Sequence, residues 1–348
     1  MTRLQRRLEQ DLDAIRRRVA SVGARVDDAL GMAVHALLTG NRALANETVL
    51  NDLPINRVVR ELDAQCHIFV ARHLPSAGHL RFVSSVMRLN VILERVGDYA
   101  VTIAREAEQL GKPPPPQLAT TIQQMADQSR KMYRQALHAW VDRNAELARG
   151  TKPMASSVDL LLDNAWATML ALDQTDAAPS LRRSFAFLIV FNNLERVSDQ
   201  AKNICEEAVF AATGETKPPK RYKVLFVDDG HRLSALAEAL AERAFPESGS
   251  YTSAGWAPVD RDPALEAYMD ERGLVPREST DLNEFRHELA KQHVLVCLSG
   301  DPRPHIDGVP FSTIVLEWSL PTEPGAAQVA LSDEIRRLME KMRGEGAQ

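Results

Sequence analysis

Cysteine is scarce: Cys66, Cys205 and Cys297 are the three thiols of a 348-residue chain, far apart and never in C-x-x-C spacing. A disulfide framework is excluded, and the thiols are expected to be reduced and mostly buried. Long apolar runs are missing as well. No stretch of about eighteen apolar residues occurs, and the opening MTRLQRRLEQDLDAIRRRVA has no apolar segment of signal-peptide length. The expected location is the cytoplasm. Nor is positive charge in excess: 42 Lys and Arg stand against 47 Asp and Glu, for a net charge of -5. That excludes a nucleic-acid binder relying on bulk positive potential, a local patch aside. From Leu4 to about Phe210, proline and glycine are confined mainly to the joints at Gly40, Pro75, Pro113 to Pro116, Gly150 and Pro153.

What is present is the composition of a soluble globular protein, 26% charged and 45% apolar, in a chain long enough for two domains. The joints divide the first part into long helices: roughly Leu4 to Thr39, Arg42 to Leu74 and Ala77 to Leu110, then Gln117 to Arg149, Ser156 to Thr175 and Pro179 to Phe210. That is a helical bundle. Past the turn-rich segment Thr213 to Pro219, strand-like and helix-like stretches alternate, as in an α/β domain.

The bundle repeats itself. Leu93-Glu94-Arg95-Val96-Gly97-Asp98 returns as Leu194-Glu195-Arg196-Val197-Ser198-Asp199, an offset of 101 residues that also maps Leu80-Arg81 onto Leu181-Arg182. Val86, Leu89, Leu93, Val96, Ala100 and Ile103 map onto Phe187, Val190, Leu194, Val197, Ala201 and Ile204. Their steps of three and four predict two core-facing helices in one register.

Glu94 and Asp98, like Glu195 and Asp199, stand four apart and so project from one helical face. Like charges at that spacing cost an isolated helix about 0.2 to 0.5 kcal/mol, so their recurrence asks for positive charge opposite. A hard metal ion such as magnesium, calcium, manganese or iron, held by oxygens from neighbouring helices, is one reading. An arginine is the other, from a neighbouring helix, because Arg81 and Arg182 lie several turns away and Arg95 and Arg196 are adjacent. Plain solvation or salt bridging stands beside both.

These duplicated helices resemble the PhoU proteins over about residues 1 to 215, with Asp52-Leu53-Pro54-Ile55-Asn56 before the first and Ser157-Val158-Asp159 before the second. The resemblance implies an all-α domain of two three-helix repeats, six helices in all, at residues 1–112 and 117–213. It further implies paired acids on the second and third helices of each repeat that hold a metal, Mg, Mn, Fe or Zn. Glu94, Asp98, Glu195 and Asp199 match fully. Asp52 is followed by Asn56 rather than an acid, and Asp159 is preceded by Ala155, so two of eight carboxylates are gone and the site is weakened.

The remainder, residues 221–343, is similar in order to the low-molecular-weight protein tyrosine phosphatases and thioredoxin-coupled arsenate reductases. A strand Lys223 to Val227, the loop Asp228, Asp229, Gly230, His231 and Arg232, and a helix with Ser234 as its N-cap begin it. Thr252 to Trp256 follow, then a helix from Asp262-Pro263 to Leu274, a strand His293 to Leu298 and a last strand closing at Leu316 to Pro321. The resemblance implies a parallel sheet and an anion cradle at the helix N-terminus. The family's chemistry needs a Cys nucleophile, a loop Arg and an Asp-Pro acid. Here Asp228 stands for the Cys, Leu233 fills the arginine slot with Arg232 adjacent, the loop is one residue short, and Leu320-Pro321 replaces the acid; Asp301-Pro302 reads as a turn. Without a thiolate the covalent route is closed. An ionised aspartate about 4 Å from a phosphate would repel it by roughly 1 to 4 kcal/mol. One of the two aspartates is therefore expected to cap the helix and take the anion's place. Cys297 is expected to be a buried, inert thiol.

By resemblance the chain is a phosphate-responsive regulator, not an enzyme. It would restrain uptake and starvation signalling by binding the Pst transporter through its PstB-like ATPase and a PhoR-like sensor histidine kinase. It would touch the inner membrane only through those partners, bind no nucleic acid and form a homodimer, with the pseudophosphatase domain as a docking or ligand-sensing module. Two other classes stay open: a phosphatase or arsenate reductase-like enzyme or arsenic-linked regulator, and a helical scaffold unconnected with phosphate.

Overall fold

The computed structural model describes residues 3–173, 180–217, 219–230, 232–257, 263–274, 282, 289, 291–301, 303–305, 313–321 and 323–344. His231, Asp262 and Pro302 of the loops above, and the junction at Thr175 to Pro179, lie outside the described residues. The chain divides into two compact units, Met1–Lys217 and Pro218–Gln348.

In the first unit α1 (Arg3–Thr39), α2 (Arg42–His73) and α3 (Ala77–Leu110) pack on one another, and α3 packs on α7 (Leu181–Thr213). The joints have local causes. Gly40, with φ of 68°, breaks α1 in a left-handed conformation that costs glycine little. Asn41 then caps α2 by accepting from the Leu44 N–H.

The second repeat departs from the expected helix Gln117 to Arg149. It starts as α4 (Pro116–Val141), with Pro116 in the first turn, and is broken over the next three residues, Asp142 to Asn144. Asn144 caps α5 (Ala145–Thr151) by accepting from the Leu147 N–H. A 3-10 turn at Lys152–Met154 then leads into α6 (Ala155–Asp173), so the middle element of this repeat is α5 and α6 joined through Pro153. The chain crosses from rod to rod at Asp142 to Asn144, not at Gly150 to Pro153. The two crossings share one pattern. Gly40 N–H donates to Leu37 O and Asn41 N–H to Ala36 O; Arg143 N–H donates to Trp140 O and Asn144 N–H to Ala139 O. The first rods of the two repeats therefore correspond at an offset of 103 residues.

The twelve apolar positions at the 101-residue offset are all fully buried, at 0% exposure. They belong to one hydrophobic core that runs through both repeats. Where α1 meets α4 the approach is close. A Cβ on Gly23 would fall 2.2 Å from Leu137 Cδ2, and one on Gly31 2.9 Å from the Arg130 guanidinium. Between them Asp27, 7% exposed, accepts two hydrogen bonds from Arg130, both 2.9 Å, and lies 3.4 Å from Arg134 Nη1. Tyr133 donates its hydroxyl to Gly23 O at 3.1 Å.

The second unit is a parallel sheet in the order β2-β1-β3-β4, with β1 Tyr222–Asp228, β2 Gly249–Gly255, β3 Val294–Cys297 and β4 Ile314–Glu317. Val224, Phe226, Val294 and Val296 pack on one face with α8 (Leu233–Ala244), α9 (Pro263–Glu271) and α10 (Pro324–Arg343). Leu225, Val227, Leu295 and Cys297 form a separate cluster on the other. Burial on both faces explains why β1 and β3 read as unbroken apolar runs.

Candidate functional site

In the first repeat the acids of α2 and α3 come together around a glycine. Asp52 is 8% exposed, and a Cβ on Gly97 would lie 3.0 Å from its Oδ1. The glycine between Glu94 and Asp98 thus lets the α2 carboxylate seat against α3. Asn56 donates to Asp52 Oδ2 at 2.6 Å, while Asp52 Oδ1 and Asn56 Oδ1 are buried without a hydrogen-bond partner. The Asp52 carboxyl is pushed above the usual carboxylate range by burial first, then by the charge of Asp98 and of Glu94; the Asn56 hydrogen bond and Arg105 oppose. Glu94 and Asp98 are exposed.

In the second repeat the positive charge is on α7 itself. Lys202, three residues after Asp199, pairs with it. That corrects the expectation of a cation from a neighbouring helix. At the 101-residue offset the first repeat has Val101 there, so this lysine has no counterpart. Asp159 is raised by burial foremost, with Asp199 and Asp163 adding and Lys202 opposing. Glu195, half-buried, is pushed from 4.5 up to about 7 by burial, then by the charge and hydrogen bond of Asp199 and by Asp159, against Lys202. The folded chain holds this proton more tightly than the unfolded chain. The stability it contributes is whole below about pH 4.5 and lost as the pH rises through about 7. Solvent screening reduces the effect to about 1 to 2 kcal/mol. Urea unfolding of Glu195→Gln should accordingly lose about that much less stability than the parent chain between pH 5 and pH 8. Parallel losses would contradict the assignment.

Among the described residues no group of three or more His, Cys, Asp or Glu is close enough to hold a metal ion. The first repeat nevertheless has the donor chemistry of a hard-cation site, oxygen only and with two buried unpartnered oxygens. The second repeat does not fit, since an ammonium already neutralises Asp199.

The loop after β1 is organised by Asp228, 2% exposed. Its Oδ2 accepts from the backbone N–H of Arg232 at 2.9 Å and of Ser234 at 3.0 Å, and its Oδ1 from the Ser234 hydroxyl at 3.0 Å. The cap of α8 is therefore the Asp228 carboxylate; Ser234 lies within the helix and donates to it, which corrects the reading of Ser234 as N-cap. Asp229 takes the Arg232 guanidinium at 3.4 Å, and its N–H donates to Ser299 Oγ. Gly230 is a buried bend. Asp228, Asp229, Arg232, Leu320 and Pro321 line one cavity of about 250 Å³. Asp301 accepts from the Arg303 N–H, and the Cys297 thiol, buried on β3, is pushed up to about 12 by burial.

Sequence reasoning missed Lys202 and Gly97. The lysine's signal was its i+3 spacing from Asp199. The glycine's was its place between two acids, where the other repeat has Ser198.

The PhoU domain family matches the chain twice, over residues 19–107 and 122–208. The phosphate-specific transport system accessory protein PhoU homologue of Pseudomonas putida is 30% identical over 205 residues, 59% of this chain and 80% of that protein. A crystal structure of PhoU from Pseudomonas aeruginosa matches with a TM-score of 0.56 at 28% identity, covering 60% of this chain and 99% of that one. An arsenate reductase in the phosphate binding state covers 35% of this chain and 98% of its own at 21% identity, with a TM-score of 0.29. That score is too low to bear on function.

Proposed function

The chain belongs to the PhoU family, and on that premise we propose that it is a phosphate-responsive regulator that restrains phosphate uptake and starvation signalling by binding the phosphate transporter and a sensor histidine kinase. The observation that carries this reading is the family match over both repeats, together with relatives named as phosphate transport accessory proteins. Protein binding also suits the exposed apolar side chains Leu160, Trp166 and Leu170 on α6 and Leu181 and Phe185 on α7, since such patches mark interaction sites. These faces serve a homodimer or the partners. Among the described residues no helix is long and apolar enough to cross a membrane. Deleting the gene should raise phosphate uptake and phosphate-regulon expression several-fold in phosphate-rich medium. Unchanged uptake would leave the scaffold reading ahead.

The second unit we read as a non-enzymatic module. Asp228 stands at the nucleophile position fully engaged as a helix cap, and Cys297 is protonated and buried. Hydrolysis of p-nitrophenyl phosphate that disappears in Asp228→Ala would contradict this.

For a metal we propose the first repeat, on Asp52, Glu94 and Asp98, which would have to draw closer than they stand to share one ion. It would neutralise the like charges that raise Asp52. Saturating Mn(II), about a hundredfold over its dissociation constant, should stabilise the chain by about 2.7 kcal/mol. The gain should vanish in Asp52→Asn/Asp98→Asn and persist in Asp159→Asn/Asp199→Asn. Equal gains in all three would refute the placement.

A further inference from the structure

A cavity of about 510 Å³ in the second unit has no part in the reading above. Leu240, Phe245 and Ile335 supply its apolar side, Arg243 and Arg336 are exposed at its edge, and Gln328 lies among them. It sits between the C-terminal end of α8 and the middle of α10, away from the Asp228 loop at the opposite end of α8. Its volume is that of a small-molecule site.

Among the described residues no acid lines it, although the chain has 47 acids against 42 bases. Arg243 donates to the Arg272 carbonyl at 3.2 Å, and Arg336 lies 3.8 Å from Asp333. Among the described residues neither is held in a carboxylate pair shorter than 3.8 Å. Arg243 stands in the last turn of α8, where the helix dipole carries about half a negative charge. That offsets part of one guanidinium and Asp333 part of the other, while the residues lining the cavity carry positive charge alone. Tyr268 donates its hydroxyl to Gln328 Oε1, which leaves the Gln328 amide NH2 as a further donor. Donors beside an apolar wall call for a ligand with both characters. Inorganic phosphate would leave the wall unused, and a hydrocarbon would leave the guanidinium groups unanswered.

We propose that this cavity binds a small organic anion, a carboxylate, sulfonate or phosphate ester carrying an aliphatic or aromatic body, with Arg243 and Arg336 on the anion and Leu240, Phe245 and Ile335 against the body.

The test uses the full chain and 8-anilinonaphthalene-1-sulfonate, an aryl sulfonate that fluoresces when its rings leave water. Binding should saturate at one probe per chain. Arg243→Gln/Arg336→Gln should weaken it at least tenfold, and Ser332→Trp, which fills the cavity, should abolish it. Hexanoate should displace the probe at concentrations where inorganic phosphate does not. Unchanged affinity in the double arginine variant, absence of saturable binding, or equal displacement by phosphate would each overturn the proposal. Should Ser332→Trp fail to fold, the arginine pair, both surface residues, still decides, with an unchanged melting temperature as its control.

Discussion

Asp27→Ala should destabilise the first unit by about 2 to 3 kcal/mol, the loss of a two-pronged, charge-assisted hydrogen bond to the part-buried Arg130 guanidinium. Asp27 is 7% exposed, and its two oxygens take the Nε and Nη2 donors of Arg130 in parallel. Removing the carboxylate strands that guanidinium between α1 and α4 and leaves Arg134 facing it without neutralisation. For a unit of about this size, each kcal/mol moves the midpoint by about 2 to 4 °C. Thermal unfolding followed at 222 nm should therefore shift downward by about 4 to 12 °C. Asp27→Leu/Arg130→Leu, which removes both charges, should lie within about 1 kcal/mol of the parent, because replacing a buried pair by apolar groups is often near neutral. A double variant as unstable as the single one would mean that packing around Gly31, not charge, holds the seam.

Asp228→Ala should turn the loop after β1 into an anion site. The substitution frees the backbone N–H groups of Arg232 and Ser234 and the Ser234 hydroxyl, all of which now point at the carboxylate. It also removes a charge worth roughly 1 to 4 kcal/mol of repulsion toward a phosphate about 4 Å away. Affinity for phosphate or sulfate should rise about tenfold to a thousandfold, while the lost cap costs about 1 kcal/mol of stability. Isothermal titration of the full chain is the measurement. Micromolar phosphate binding by the parent chain that disappears in Asp228→Ala would show that the aspartate recruits the anion rather than replacing it.

The core was legible because its signal is periodic. A duplicated apolar register marks burial twice, and all twelve positions obey it. The crossing at Asn144 is hard to read from sequence because glycine and proline are the conspicuous joint residues. An asparagine cap does the same work with a residue that draws less attention, and Arg143 holds a φ of 53° where the first repeat uses Gly40. The acids themselves were readable, but their electrostatics were not. Whether Asp52 is buried depends on how closely α2 lies on α3, and that spacing is set by the absence of a side chain at Gly97. The helix cap of α8 was half legible. Aspartate was expected to occupy the loop, yet Ser234 also looked like a good cap, and only geometry distinguishes a hydroxyl that accepts from one that donates.

Asp27 and Arg130 occupy the same place in their two repeats, 103 residues apart, as the matching crossings at Asn41 and Asn144 establish. The central ion pair of the seam is therefore a position paired with its own duplicate, carrying opposite signs. Two copies of the first repeat docked in this way would set aspartate against aspartate, and two copies of the second arginine against arginine. Each half is built to refuse itself and accept its sibling, so covalent linkage is not the only thing that keeps the two repeats in one molecule.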